Sequence, residues 1–115
     1  MLDPDGGLVR GTLDVLIMKA LSWGPRHGYA VAEWIKAVTD EELLVVEGPL
    51  YTALHRLERK GWLTSEWGYS DNNRKARFYQ LSRSGRQQLR AEVSSWERYV
   101  AAVTKALTAA SPTPA

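Results

Sequence analysis

Cysteine is absent from this 115-residue sequence, which excludes disulfides, thiol nucleophiles and thiolate metal sites. The two histidines, His27 and His55, have no acidic partners at metal-ligand spacing, so no metal site is expected. There is no glycine-rich phosphate loop and no nucleophile–base pair, and the acidic residues are scattered, so neither an enzyme nor a cofactor is expected. Long hydrophobic runs are also missing: stretches such as Val15-Leu16-Ile17-Met18 are far too short to span a bilayer. The opening MLDPDGG is acidic and turn-forming, unlike a secretory leader. These absences lead to the expectation of one cytoplasmic domain with no membrane association.

What is present is an uneven charge distribution inside a net charge of only +2. Residues 1–50 carry four basic and eight acidic side chains, whereas residues 51–90 carry nine basic and three acidic ones. A basic block in a nearly neutral chain points to one surface that meets a polyanion.

Periodicity supplies the elements. Leu13, Leu16, Ile17, Ala20 and Leu21 repeat at helical spacing, predicting a first helix from Leu8 or Thr12 to Trp23, stopped by Gly24-Pro25. Val31, Trp34, Ile35 and Val38 predict a second helix over about His27–Thr39, and Leu43-Leu44-Val45-Val46 reads as a short strand. A third helix is expected from Gly48 to Lys60, with Pro49 in its first turn and Gly61 as its stop. On that helix Leu50, Ala53, Leu54 and Leu57 share one arc, while Thr52, His55, Arg56 and Arg59 lie opposite and Tyr51 sits at the border. Strands over Trp62–Tyr69 and Ala76–Leu81 enclose the polar turn 70–75, and a fourth helix runs from Ser82 or Ser84 to about Ala109. At 1.5 Å per residue that last helix is roughly 40 Å long.

The expected fold class is therefore mainly α with a small β-hairpin: a winged helix-turn-helix over residues 8–82, then a long C-terminal dimerisation helix over 83–109. Residues 1–7 and 111–115 read as disordered tails. In such a fold the third helix enters the major groove and the hairpin places cations on phosphates or in the minor groove. The candidate DNA-binding residues are Tyr51, Thr52, His55, Arg56 and Arg59 on the helix, with Arg74, Lys75 and Arg77 on the wing. Arg56 suits bidentate recognition of guanine, and Tyr51 and Arg59 suit phosphates. The rival reading is a winged-helix adaptor that binds protein rather than DNA, which steep salt dependence would distinguish.

Several motifs in order then become familiar. Thr12-Leu13-Asp14-Val15-Leu16-Ile17 and Gly24-Pro25-Arg26-His27-Gly28-Tyr29 resemble the opening of PadR-family transcriptional regulators. The segment from Glu47 to Glu58 is similar to that family's recognition helix, and Gly61–Gly68 and Arg77–Ser82 to its wing strands. The resemblance covers about residues 8–107. It implies a dimeric repressor of the compact, C-terminal-helix type, like the multidrug-responsive members, released from operator DNA by small aromatic or cationic compounds. Two departures stand out: Pro49 occupies a place where a small hydroxyl residue or alanine is frequent, and Asn72-Asn73 makes the wing tip less basic.

Leu89, Val93, Trp96, Val100, Val103 and Leu107 step by 4, 3, 4, 3 and 4, a heptad seam that suggests pairing with a second copy. The alternative is that the stripe covers the chain's own core. Trp96 interrupts the aliphatic seam with the largest side chain. Its position resembles the tryptophan that stacks flat drugs at the dimer centre of multidrug-responsive relatives. That implies an effector site of Trp96, Val15, Val93 and Val100, against a reading of Trp96 as plain interface packing. Operator sequence, regulated genes, inducer and the sign of regulation are not encoded in these patterns.

Overall fold

The fold is described from a computed structural model covering residues 11–114. The expected N-terminal tail, and the start of the first helix at Leu8, lie outside these residues. Helix α1 (Thr12–Ala20) continues through a 3-10 turn (Leu21–Trp23) and ends where Gly24 takes a φ of 143° ahead of Pro25. Its Ile17, Met18 and Ala20, with Leu21 beyond, are fully buried.

A two-residue strand, β1 (Arg26–His27), leads directly into α2 (Gly28–Val38). His27 caps that helix, its Nδ1 accepting from the Ala30 amide at 3.2 Å, which satisfies one of the unpaired donors of the first turn. Beyond α2, Asp40 and Glu41 both have left-handed φ values, 51° and 64°, reversing the chain with two residues for which that conformation is uncommon.

The strand expected at Leu43–Val46 does not form. Leu43 and Val45 pack towards the core while Leu44 and Val46 face out, so the strand-like alternation is real, but the segment has no ladder. The open edge of the sheet is taken instead by Arg26–His27.

Helix α3 (Glu47–Arg59) buries Leu50, Ala53, Leu54 and Leu57. Gly61, at φ 80°, closes it: its amide donates to the Glu58 carbonyl at 2.9 Å, and the Trp62 amide to that of Leu57 at 3.1 Å. That pair of bonds is a Schellman motif.

Strands β2 (Leu63–Tyr69) and β3 (Lys75–Leu81) form the hairpin, pairing Leu63 with Leu81 and Tyr69 with Lys75. β1 adds to the far side of β3, giving an antiparallel sheet ordered β1-β3-β2. Helix α4 (Arg83–Leu107) starts from Ser82, whose Oγ accepts from the Gly85 amide at 3.0 Å. Ser82 and Ser84 also donate to the Gly61 carbonyl at 2.6 and 3.0 Å, and the Ser82 amide donates to that of Trp62 at 3.0 Å. The end of α3, the base of the hairpin and the start of α4 therefore meet at one hydrogen-bonded joint. The order of helices, hairpin and final helix is a winged helix-turn-helix with a long C-terminal helix.

Candidate nucleic-acid interface

The buried arc of α3 fixes what its opposite side can present. Gly48, Thr52, His55 and Arg59 are all exposed there, a strip of hydrogen-bonding groups over three turns. Thr52, His55 and Arg59 thus lie together as expected.

Arg56 does not join them. It sits on the flank of α3 that faces α1, where its guanidinium is ion-paired with Asp14. It lies about 100° round the helix from His55, and Asp14 holds it on that flank although its side chain keeps 39% of its exposure. Tyr51 lies on the other flank, its ring against the backbone of Gly28. A Cβ at residue 28 would stand 2.9 Å from both Cε1 and the hydroxyl of Tyr51, so glycine is what allows the start of α2 to approach that ring.

On the wing, Arg74 and Lys75 are exposed at the tip. Arg77 is spoken for. Its Nε donates to Ser65 Oγ at 2.8 Å, its Nη2 lies 3.5 Å from Glu58 Oε2, and Ser65 in turn donates to Glu58 at 2.5 Å. This small network braces the wing against the last turn of α3, so Arg77 acts as a strut as well as a cation.

Between the wing and the starts of α2 and α3 lies an open cleft of about 1130 Å³, lined among others by Tyr29, Tyr51, His55, Trp67, Lys75 and Arg77. Tyr29 and Trp67 were not singled out as site residues from the sequence. Trp67 reads there as an ordinary strand residue, and the available signal for Tyr29 was its place one residue after the glycine that opens α2. The neighbouring Glu33 carboxylate, by hydrogen bonding and by charge, raises the Tyr29 phenol above its ordinary pKa. Burial raises that of Tyr79 beneath the cleft. Both phenols therefore stay neutral and able to donate.

The six seam residues of α4 divide. Leu89 packs against the core and Val93 is half-buried, whereas Trp96, Val100, Val103 and Leu107 are 40, 39, 37 and 80% exposed. The Trp96 and Tyr99 rings lie 6.1 Å apart. A groove of about 430 Å³ between α1 and α4 is lined by Lys19, Leu89, Val93 and Glu97 among others. Of the expected effector residues only Val93 lines it. Val15 is half-buried on α1, and Trp96 and Val100 lie farther along α4. Among the described residues no helix is long and apolar enough to cross a membrane, and no three His, Asp or Glu side chains are placed to hold a metal ion.

A family model for the transcriptional regulator PadR-like family matches residues 17–91, from the core of α1 to the first turns of α4. Solved structures agree in fold. A transcriptional regulator from Clostridium thermocellum superposes with a TM-score of 0.76 at 28% identity, over 84% of this chain and 93% of that one. A PadR family transcriptional regulator from Eggerthella lenta gives 0.71 at 30% identity, over 87% and 85%. A PadR family transcription regulator from Clostridium difficile gives 0.68 at 27% identity, over 84% and 98%.

Proposed function

Because this chain belongs to the PadR-like family of transcriptional regulators, and so is not an enzyme, we propose that it represses transcription by binding a palindromic operator as a homodimer. The observation that carries the reading is the outer strip of α3, with Thr52, His55 and Arg59 exposed beside a basic wing across one cleft. In this reading the strip enters the major groove, Arg59 takes over base recognition from Arg56, and Tyr51, Arg74 and Lys75 engage phosphates. Arg56 keeps α3 in phase against α1 through Asp14.

The second copy is supported by the bare apolar end of α4. Four seam residues exposed in one chain are a surface that pairing would cover. Two copies related by a two-fold axis present their α3 helices to half-sites about one helical turn apart. The effector reading follows from that pairing. Trp96, with Val100 and Val93 from α4 and Val15 from α1, forms a site for a flat aromatic or cationic compound only once a second copy closes it.

The test is a mobility shift with duplex from the gene's own upstream region across about 50–200 mM salt. Retardation that weakens steeply with salt supports the proposal, and no retardation at the lowest salt supports the protein-binding adaptor instead. Light scattering at two concentrations checks the homodimer, and quenching of tryptophan emission by a flat dye, lost in Trp96→Phe, checks the effector site.

A further inference from the structure

Helix α3 and the hairpin carry Arg56, Arg59, Arg74, Lys75 and Arg77. Among the described residues Arg59, Arg74 and Lys75 have no carboxylate partner, whereas Arg56 and Arg77 each have one. Arg56 is held from α1 by Asp14, but the partner of Arg77 is Glu58, a residue of the reading helix itself.

Glu58 stands there at an electrostatic disadvantage. It occupies the last turn of α3, where the helix dipole disfavours a negative charge, and in the reading above α3 faces a polyanion. What it gains is a set of bonds to the hairpin. Ser65 faces Tyr79 across the ladder and Trp67 faces Arg77, so Ser65 and Arg77 are diagonal neighbours on one face. The Ser65 hydroxyl uses both of its capacities, accepting from Arg77 Nε at 2.8 Å and donating to Glu58 Oε2 at 2.5 Å. Arg77 Nη2 lies 3.5 Å from that same carboxylate oxygen, and its Cζ lies 5.6 Å from the Trp67 ring centroid. The Arg77 side chain is 40% exposed, so burial does not keep it from a phosphate. Its bonds to Glu58 and Ser65 do.

We infer that Glu58 is a specificity-determining residue: with Ser65 it withholds Arg77 from DNA phosphates, and it fixes the hairpin at one angle to α3. Both effects act on the difference between right and wrong sequences. Binding to arbitrary duplex is carried by phosphate contacts and grows with every free cation, so a withheld arginine weakens it. Binding to the right sequence needs the outer strip of α3 and the wing tip in place at once, so a fixed angle favours it. The inference rests on the DNA-binding reading above. Its mark is a sign: releasing Arg77 makes the protein bind DNA more tightly and less selectively.

The experiment follows the anisotropy of labelled upstream and random duplexes with the full chain across about 50–200 mM salt. The proteins are wild type, Glu58→Gln, Ser65→Ala, Ser65→Thr and the double variant Glu58→Gln/Arg77→Gln. Glu58→Gln is expected to bind random duplex about three- to tenfold more tightly at ~100 mM salt, with a salt slope steeper by about one phosphate contact. Its preference for upstream duplex falls by a similar factor. Ser65→Ala changes no charge and is expected to move both quantities the same way by about two- to fivefold, while Ser65→Thr keeps the hydroxyl and stays within about twofold of wild type. The double variant has the wild-type net charge and no Arg77 to release, so its salt slope returns to that of wild type. A brace with a structural role alone lowers the melting temperature of Glu58→Gln and Ser65→Ala without tightening random binding, and that result overturns the proposal. So does a gain that survives in the double variant, since bare charge then explains it. If Glu58→Gln does not fold, Ser65→Ala decides, and random binding no tighter than wild type overturns the proposal. Failure of the wild type to bind either duplex overturns the DNA-binding reading together with this inference, whereas a wild type that binds beside an unchanged Glu58→Gln overturns this inference alone.

Discussion

Among the described glycines Gly85 is the most closely approached, and replacing it with alanine tests whether the joint at the start of α4 is as close as described. A Cβ at that position would lie 2.0 Å from the Trp62 carbonyl oxygen, 2.9 Å from its carbonyl carbon and 3.1 Å from Leu81 Cδ2. The leucine can turn away, but the carbonyl cannot, because it accepts from the Ser82 amide at 3.0 Å. Restoring a tolerable contact of 3.0 Å or more requires α4 to move off the hairpin by about 1 Å, enough to stretch the Ser82 bond and the Gly85–Ser82 cap. Overpacking of this kind costs about 1–3 kcal/mol and a lost cap about 1 kcal/mol. Alanine returns about 1 kcal/mol through its helix propensity. The net expectation is ~1–3 kcal/mol of destabilisation, or a fall in Tm of about 5–20 °C for a domain of this size. Thermal unfolding followed by circular dichroism at fixed protein concentration measures it. Gly48→Ala is the control, since a Cβ there meets nothing within 4 Å beyond its chain neighbours; helix propensity favours the alanine and Pro49 after it disfavours it, so the change should stay within about 1 kcal/mol in either direction. A Gly85→Ala protein melting at or above wild type, with the control behaving as expected, would refute the close approach.

Three further outcomes are expected. Arg59→Ala lowers the preference for upstream over random duplex about 5- to 100-fold, whereas Arg56→Ala leaves it within about twofold and costs under ~1 kcal/mol of stability. Competition binding reads both, and the opposite pattern would place Arg56, not Arg59, at the bases. Lys75→Ala weakens upstream and random duplexes alike and reduces the salt slope by about one contact, so a selective loss would contradict its assignment to phosphate. Val100→Asp yields monomers in light scattering with little change in the single-chain fold, while Leu89→Asp lowers the unfolding midpoint, because only the former side chain is bare in one chain. Equal behaviour of the two would mean that the α4 stripe is not divided.

Much of the fold was legible because its determinants are local. The arc of Leu50, Ala53, Leu54 and Leu57, the closing Gly61 and the capping Ser82 each act within a turn or two of themselves. What was missed depends on distant partners. β1 is two polar residues between Pro25 and Gly28 with no periodicity of its own, and it exists because Arg26 and His27 meet Tyr79 and Phe78, some fifty residues away. Leu43–Val46 has better strand character yet pairs with no strand of the sheet. Arg56 fell between the outer strip and the buried arc, and its direction was decided by Asp14, 42 residues earlier. Periodicity gives the angle of a side chain around its helix; it does not give what waits on the flank. Trp67 carried no warning at all, since an aromatic residue in a strand usually means packing.

The joint at Gly61, Trp62 and Ser82 has a mechanical consequence. Helix α4 spans 25 residues, about 37 Å, and its far end is the exposed part that the proposed pairing would cover. It therefore works as a lever with a short, stiff hinge: each degree of tilt at the joint moves the distal end by on the order of 0.6 Å relative to the reading helix. Some five degrees would shift a paired recognition surface by about 3 Å, close to the rise of one base pair. In the proposed dimer a pair of such levers would set the spacing between the two reading helices, and the packing of Leu89 on the core and the close approach of Gly85 to Trp62 would hold that spacing.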